Sequence, residues 1–116
     1  MLRIAIADDH TLFRSSLALL INDFKNMQVV LEASNGEELL GNLQKTSVDI
    51  LLLDLQMPVM DGFKACKIMR ELYPDILIIV LTLMQDSDAI KKVIKIGAHG
   101  YFTKNTSPHE WIERIK

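Results

Sequence analysis

Ile50-Leu-Leu-Leu53, followed at once by Asp54-Leu-Gln-Met-Pro58, is the stretch that decides the fold. An apolar run without polar alternation describes a strand covered on both faces, as in a parallel sheet between two helical layers. The strand reads as Val48 to Leu53. After the Met-Pro loop a helix runs from about Gly62 to Tyr73, where Pro74 stops it, with Ala65, Ile68, Met69 and Leu72 facing inward. A second such run, Ile76 to Leu81, gives another buried strand.

Working upstream, Leu2 to Ala7 reads as a strand, and Phe13, Leu17, Leu20, Ile21 and Phe24 fall on one helix face. Met27 to Ala33 is the next strand, and Ser34-Asn-Gly-Glu37 has the form of a capping box opening a helix through Leu39, Leu40 and Leu43. Downstream, Ser87 to Ile96 is a helix with Ile90, Val93 and Ile94 inward and Gly97 as its terminator. A short strand, Tyr101 to Thr103, precedes a last helix with Ser107 as cap, Pro108 at the first helical position and Glu110 completing a second capping box. Trp111, Ile112 and Ile115 form its apolar side, and Trp111 suits either inward packing or a partly exposed edge for dimer or effector contact.

Five strand-helix units with short connections require right-handed crossovers. The expected architecture is therefore α/β: a three-layer αβα, doubly wound, five-stranded parallel sheet. The five-strand count favours the order 2-1-3-4-5 over other doubly wound orders.

The chain of 116 residues is one domain long, and 49% hydrophobic with 24% charged residues is ordinary globular usage. Thirteen basic against fifteen acidic residues give a net charge of −2, so no basic field attracts a phosphate backbone and direct nucleic-acid binding is not expected. Cys66 is the single cysteine, no secretory leader opens the chain, and the apolar runs fall short of the roughly 20 residues that span a bilayer. The expectation is a cytoplasmic protein with no membrane contact. The last helix reaches Lys116 without a polar tail or cap, which reads as a chain cut from a longer parent.

Ligands of open parallel sheets bind outside the carboxyl ends of the strands. Here those ends carry Asp8-Asp9, Asp54, Thr82 and Lys104. With neighbouring strands about 4.8 Å apart, these side chains converge on a patch suited to one anion and one cation. Crowded carboxylates repel, and a divalent cation relieves the repulsion without protonation. Oxygen-only ligands without a His or Cys cluster favour Mg²⁺ or Mn²⁺. Such a cation also screens Asp54 from an incoming phosphoryl group, whose oxygens Lys104 and Thr82 are placed to hold.

Five motifs occur in order: Ala7-Asp-Asp-His10, Leu53-Asp-Leu-Gln-Met-Pro58, Met60-Asp-Gly62, Leu81-Thr82 and Tyr101-Phe-Thr-Lys104. Together they resemble a response-regulator receiver domain over essentially the whole chain. The stretch Ile6-Ala-Asp-Asp-His-Thr-Leu-Phe-Arg14 is most similar to the NarL/LuxR branch. The resemblance implies that Asp54 accepts a phosphoryl group from a sensor histidine kinase or phosphotransfer protein. It also implies Mg²⁺ bound directly by Asp9 and Asp54, through water by Asp8, and by the backbone carbonyl of Gln56. By the same likeness Lys104 bonds the phosphoryl oxygens, Thr82 turns toward them, and Tyr101 swings inward, changing the surface of the fourth helix, fifth strand and fifth helix. A homodimer and a downstream helix-turn-helix output domain controlling transcription accompany this reading. A stand-alone receiver is the alternative.

Some positions depart from the family pattern. Leu83 stands where a small residue is usual and is expected to crowd the phosphoryl site, slowing exchange with small donors. Asn105 replaces a common Pro after Lys104, so a trans bond is expected there. Gln56 and Met84 occupy positions that tune dephosphorylation in the family. A haloacid-dehalogenase-type phosphohydrolase is the enzymatic rival, but Gln56 stands where that class carries a second, proton-transferring Asp. At most slow self-catalysed phosphorylation and dephosphorylation is expected. A flavin or nucleotide module would want a glycine-rich loop where Asp8-Asp9 stands. Among the remaining residues, His10 reads as a loop residue near the metal, Asp61 as a helix cap, Gly62 as a backbone requirement, Cys66 as inert packing, and Lys91, Lys92 and Lys95 as a solvated stripe.

Overall fold

The computed structural model describes residues 1–115, with the Ile115 side chain and Lys116 outside the described residues. The elements alternate as β1 (Leu2–Ala7), α1 (Thr11–Asn22), β2 (Met27–Ala33), α2 (Gly36–Leu43), β3 (Ile50–Leu53), α3 (Gly62–Leu72), β4 (Leu77–Thr82), α4 (Ser87–Ile96), β5 (Gly100–Thr103) and α5 (Pro108–Ile115). All strand pairs are parallel, in the order β2-β1-β3-β4-β5. The expected doubly wound sheet is present with its expected order.

Alternate strand residues point to opposite faces, and this divides the core in two. Ala5, Ala7, Leu51, Leu53, Ile78 and Val80 meet α2, α3 and α4 through Leu39, Leu43, Ala65, Cys66, Met69 and Val93. Ile4, Ile6, Ile50, Leu52, Ile79 and Leu81 meet α1 and α5 through Leu17, Ala18, Ile21, Trp111 and Ile112. Trp111 is 1% exposed, so of its two sequence readings the inward one holds and its ring offers no edge to a partner.

Several local readings shift. β3 begins at Ile50, because Asp49 breaks the apolar run; its backbone N–H bonds Arg3 O and its carboxylate accepts the Arg3 N–H, both at 2.8 Å. α2 is capped by Asn35, whose side chain accepts the Glu38 N–H at 2.9 Å, while Glu38 reaches back to Ser34 N. The box lies one residue later than Ser34 to Glu37. Phe24 falls beyond the end of α1 and packs against the core from the following turn. Leu72 and Ile94 are exposed, not inward; on α4 the buried side is Ala89 and Val93, with Ile96 packed against the core. Asp61 caps α3 as expected, accepting the Lys64 N–H at 3.0 Å. Gly97 ends α4 at φ 133° and lets the Ala98 N–H turn back to Val93 O at 3.1 Å. No described peptide bond is cis, so Lys104–Asn105 is trans.

Candidate functional site

Register places the acids. Ala7 pairs with Leu53 across β1 and β3, so the next residues, Asp8 and Asp54, leave the sheet side by side. Their backbones are fixed by the bonds of Asp8 N–H to Ala33 O and of Asp54 N–H to Ala7 O, both 2.9 Å. Both are buried, whereas Asp9 is exposed. One carboxylate oxygen from each of Asp8, Asp9 and Asp54 lies within 4.8 Å of the others. Oxygen-only donors crowded this closely fit a small hard divalent cation such as Mg²⁺.

Lys104 enters from β5, its N–H bonded to Thr82 O at 2.9 Å. Its ammonium lies 2.8 Å from Asp8 Oδ2 and 3.1 Å from Asp54 Oδ2, with a side chain only 5% exposed. It also approaches His10 Nδ1 at 3.4 Å and stands 4.7 Å from the centroid of the Phe13 ring. Burial pushes the Asp8 carboxyl above its usual range and the Asp54 charge adds to this, while the Lys104 contact and the His10 N–H oppose it.

Asp9, His10, Asp54, Gln56, Leu83 and Lys104 line a recess of about 180 Å³. Gln56 donates its N–H to Asp54 Oδ1 at 3.3 Å. Leu83 is 49% exposed on the wall of the recess, the place where crowding was expected. Thr82 is fully buried, and its hydroxyl accepts the Met84 N–H at 3.4 Å. The half-buried Tyr101 donates its hydroxyl to the Met84 carbonyl, tying β5 to the loop after β4. Burial, then the Asp54 and Asp86 charges, push that phenol up. Cys66 is wholly buried and its thiol is pushed up to about 11 by burial, consistent with inert packing.

The loop after Asp54 is held by close backbone approach. A Cβ at Gly62 would lie 2.2 Å from Asp54 O and 2.6 Å from Leu55 Cα, and the Gly62 N–H bonds Leu55 O at 3.0 Å. Val59, in the same loop, has φ 66°, a rare conformation for a β-branched residue, and the Met60 N–H bonds Pro58 O across it at 2.7 Å.

Three contacts to the site escaped the sequence reading. Helical periodicity puts Phe13 on a core face, yet its ring also meets Lys104. His10 was placed near the metal without its approach to the same lysine. Arg14 bonds Asp8 O at 2.5 Å, Ser34 Oγ at 3.2 Å and Glu32 Oε1 at 3.2 Å, bracing the β1 end against β2. Nothing in local spacing links residues 13 and 104; only the docking of α1 does.

Together the fold and site define a class: doubly wound domains with an acidic, cation-ready pocket and one lysine at the carboxyl edge of the sheet. The model of the response regulator receiver domain matches residues 4–116, and the chain belongs to that family. It is 38% identical over 112 residues to the uncharacterized transcriptional regulatory protein YhcZ of Bacillus subtilis (strain 168), covering 97% of this chain and 52% of that protein. A two-component response regulator of the LuxR family from Aurantimonas sp. SI85-9A1 superposes with a TM-score of 0.90 at 32% identity, over 97% of this chain and 81% of that one. RcsB from Salmonella enterica serovar Typhimurium, solved bound to promoter rprA with the phosphomimetic BeF3⁻, superposes with a TM-score of 0.90 at 26% identity, over 98% of this chain and 65% of that one. The chain spans about half the length of the curated relatives it matches. Among the described residues no helix is long and apolar enough to cross a membrane.

Proposed function

We propose that Asp54 is the phosphoacceptor of a cytoplasmic two-component response regulator. The observation that carries this reading is the position of the Asp54 carboxylate, 5% exposed, 3.1 Å from the Lys104 ammonium and clustered with Asp8 and Asp9. An Asp54 oxygen attacks phosphorus at the recess while the bond to the donor breaks, the electron pair leaving with the donor. Lys104 holds the equatorial oxygens and Thr82 supplies a hydroxyl once released from Met84. Asp9 and Asp54, with Asp8 through water and the Gln56 carbonyl, would hold Mg²⁺, which would supply charge neutralisation among the acids and toward the phosphoryl oxygens.

The donor is a phosphohistidine on a sensor kinase or phosphotransfer protein. A groove of about 470 Å³ beside the recess, lined by Leu12, Phe13, Leu83 and Asn105 among others, supports a protein partner there. Phosphorylation exchanges the Thr82 and Tyr101 contacts at Met84 and so changes the α4-β5-α5 surface. That surface acts on a homodimer partner or on a DNA-binding output domain in the parent protein, a reading supported by the promoter complex of RcsB and by the greater length of the relatives. Gln56 offers no carboxyl for rapid proton transfer, so turnover is limited to slow self-catalysed gain and loss of the phosphoryl group.

The test is intact-mass analysis after incubation with an acyl phosphate and Mg²⁺. Wild type gains one phosphoryl mass and Asp54→Asn gains none; equal gain by both would overturn the assignment.

A further inference from the structure

The Lys104 ammonium has two carboxylate acceptors, Asp8 at 2.8 Å and Asp54 at 3.1 Å, and His10 Nδ1 stands 3.4 Å away. The Phe13 ring covers a further side, its centroid 4.7 Å from Nζ, within the range over which an aromatic face attracts a cation. Phe13 is half-buried and packs against the core on the α1 side of the sheet, which gives its ring a support separate from the lysine. Lys104 is all but excluded from solvent, where such an attraction is least screened.

These contacts differ in what happens to them during transfer. Once Asp54 carries a phosphoryl group, as a mixed anhydride, its bonded oxygen is no longer the same acceptor, and Asp8 is shared with the cation site. The ring contact depends on neither change. We propose that Phe13 is a positioning residue for phosphoryl transfer: its ring face seats the Lys104 ammonium so that the charge is already aimed at the phosphoryl oxygens when Asp54 reacts. This rests on the assignment of Asp54 as phosphoacceptor. With an acyl phosphate such as acetyl phosphate, the Asp54 oxygen forms the bond to phosphorus as the phosphorus–oxygen bond to the acyl group breaks. Acetate leaves with the electron pair, and the step requires no proton transfer.

The role belongs to the ring's electrons and not to its bulk, which separates it from packing. The experiment measures the rate of mass gain with acetyl phosphate and Mg²⁺ for wild type, Phe13→Leu and Phe13→Tyr. It adds a series in which position 13 carries phenylalanine with one, two or three ring fluorines. Fluorination drains the negative face while nearly keeping the shape. Phe13→Leu is expected to be about tenfold slower, ~1.4 kcal/mol of barrier, with Phe13→Tyr near wild type and the rate falling stepwise with each fluorine. A flat fluorine series, or Phe13→Leu as fast as wild type, overturns the positioning role while leaving Asp54 as acceptor. Failure of wild type itself to gain mass, with acetyl phosphate consumed by a control receiver, removes both readings.

Discussion

Gly62→Ala is the substitution whose cost can be worked most directly. The added Cβ would lie 2.2 Å from Asp54 O, 2.6 Å from Leu55 Cα and 2.9 Å from Asp54 C, all backbone atoms. Carbon contacts settle near roughly 3.5–4 Å, so either the start of α3 or the chain leaving β3 must retreat by about 1 Å. Asp54 and Leu55 are 4% and 1% exposed and have no free space to enter. Separation also strains the bond from Gly62 N–H to Leu55 O, now 3.0 Å. Overpacking of about 1–3 kcal/mol and a weakened hydrogen bond of about 1 kcal/mol sum to roughly 2–4 kcal/mol. That is a large share of a stability of about 5–15 kcal/mol. The unfolding midpoint should fall by roughly 8–16 °C, with an unchanged urea m-value. The same shift moves Asp54, the proposed phosphoacceptor, and because a misplacement of about 1 Å can cost ~100-fold in rate, mass gain should slow by at least tenfold. Gly41→Ala is the matched control. No atom lies within 4 Å of that Cβ, so the helix should gain about 0.5–1 kcal/mol. A Gly62→Ala protein within about 1 kcal/mol of wild type, phosphorylated at the wild-type rate, would refute the close-approach reasoning.

Leu83→Ala opens the wall of the recess and should speed phosphorylation by acetyl phosphate severalfold; equal or slower uptake removes the steric reading of Leu83. Val59→Gly relieves a positive φ in a residue 77% exposed, so about 1–3 kcal/mol of strain less the greater chain entropy of glycine leaves a modest gain, measured by urea unfolding. His99 Nδ1 accepts the Ile78 N–H at 3.0 Å and so must be unprotonated; burial, then the Arg70 charge, lower its pKa from 6.5. The unfolded chain therefore binds more protons below about pH 6.5, and this contribution is fully present above that pH and lost as pH falls toward the folded pKa. Wild type should lose more stability than His99→Asn between neutral and mildly acidic pH, and parallel curves would contradict the tautomer.

Much of the fold was legible because β3 and β4 are apolar at consecutive positions, which only a sheet covered on both faces requires. Asp54 and Thr82 were legible because they follow or close such a run, and Asp8-Asp9 and Lys104 because they follow the ends of β1 and β5. What escaped was degenerate in the local code. Ser34 and Asn35 both make good caps and Glu37 and Glu38 both lie three residues on, so two capping registers fit and tertiary docking of α2 selects the second. On α4, Ile90, Val93 and Ile94 form one plausible stripe and Ala89, Val93 and Ile96 another. The side facing the sheet takes the small Ala89, and Ile94 is left 44% exposed. Leu72 closes the final turn of α3 and is 63% exposed. The meeting of Phe13 with Lys104 joins two elements at opposite ends of the chain, and no window of sequence contains both.

The energetic asymmetry of the molecule points to the same end of the sheet. Both core layers are well packed, and no described buried side-chain nitrogen or oxygen lacks a partner. At the carboxyl edge, three carboxylates have oxygens within 4.8 Å of one another, and the one close ammonium, Lys104, pairs with Asp8 and Asp54. Two such charges repel by about 3.5 kcal/mol at that distance and an effective dielectric of about 20. A sequence selected for stability alone would neutralise Asp8 or Asp54, and would not hold Val59 at φ 66° in the loop that follows. The surplus negative charge is tolerated because the two cores offset it, and it leaves a site whose charge balance is completed from outside. A divalent cation would relieve the acids, and the proposed transfer to Asp54 would then place new charge beside Lys104, Thr82 and the Tyr101 contact. The strain lies where a change of ligand and of covalent state can release it, which suits a domain whose output is a change of surface.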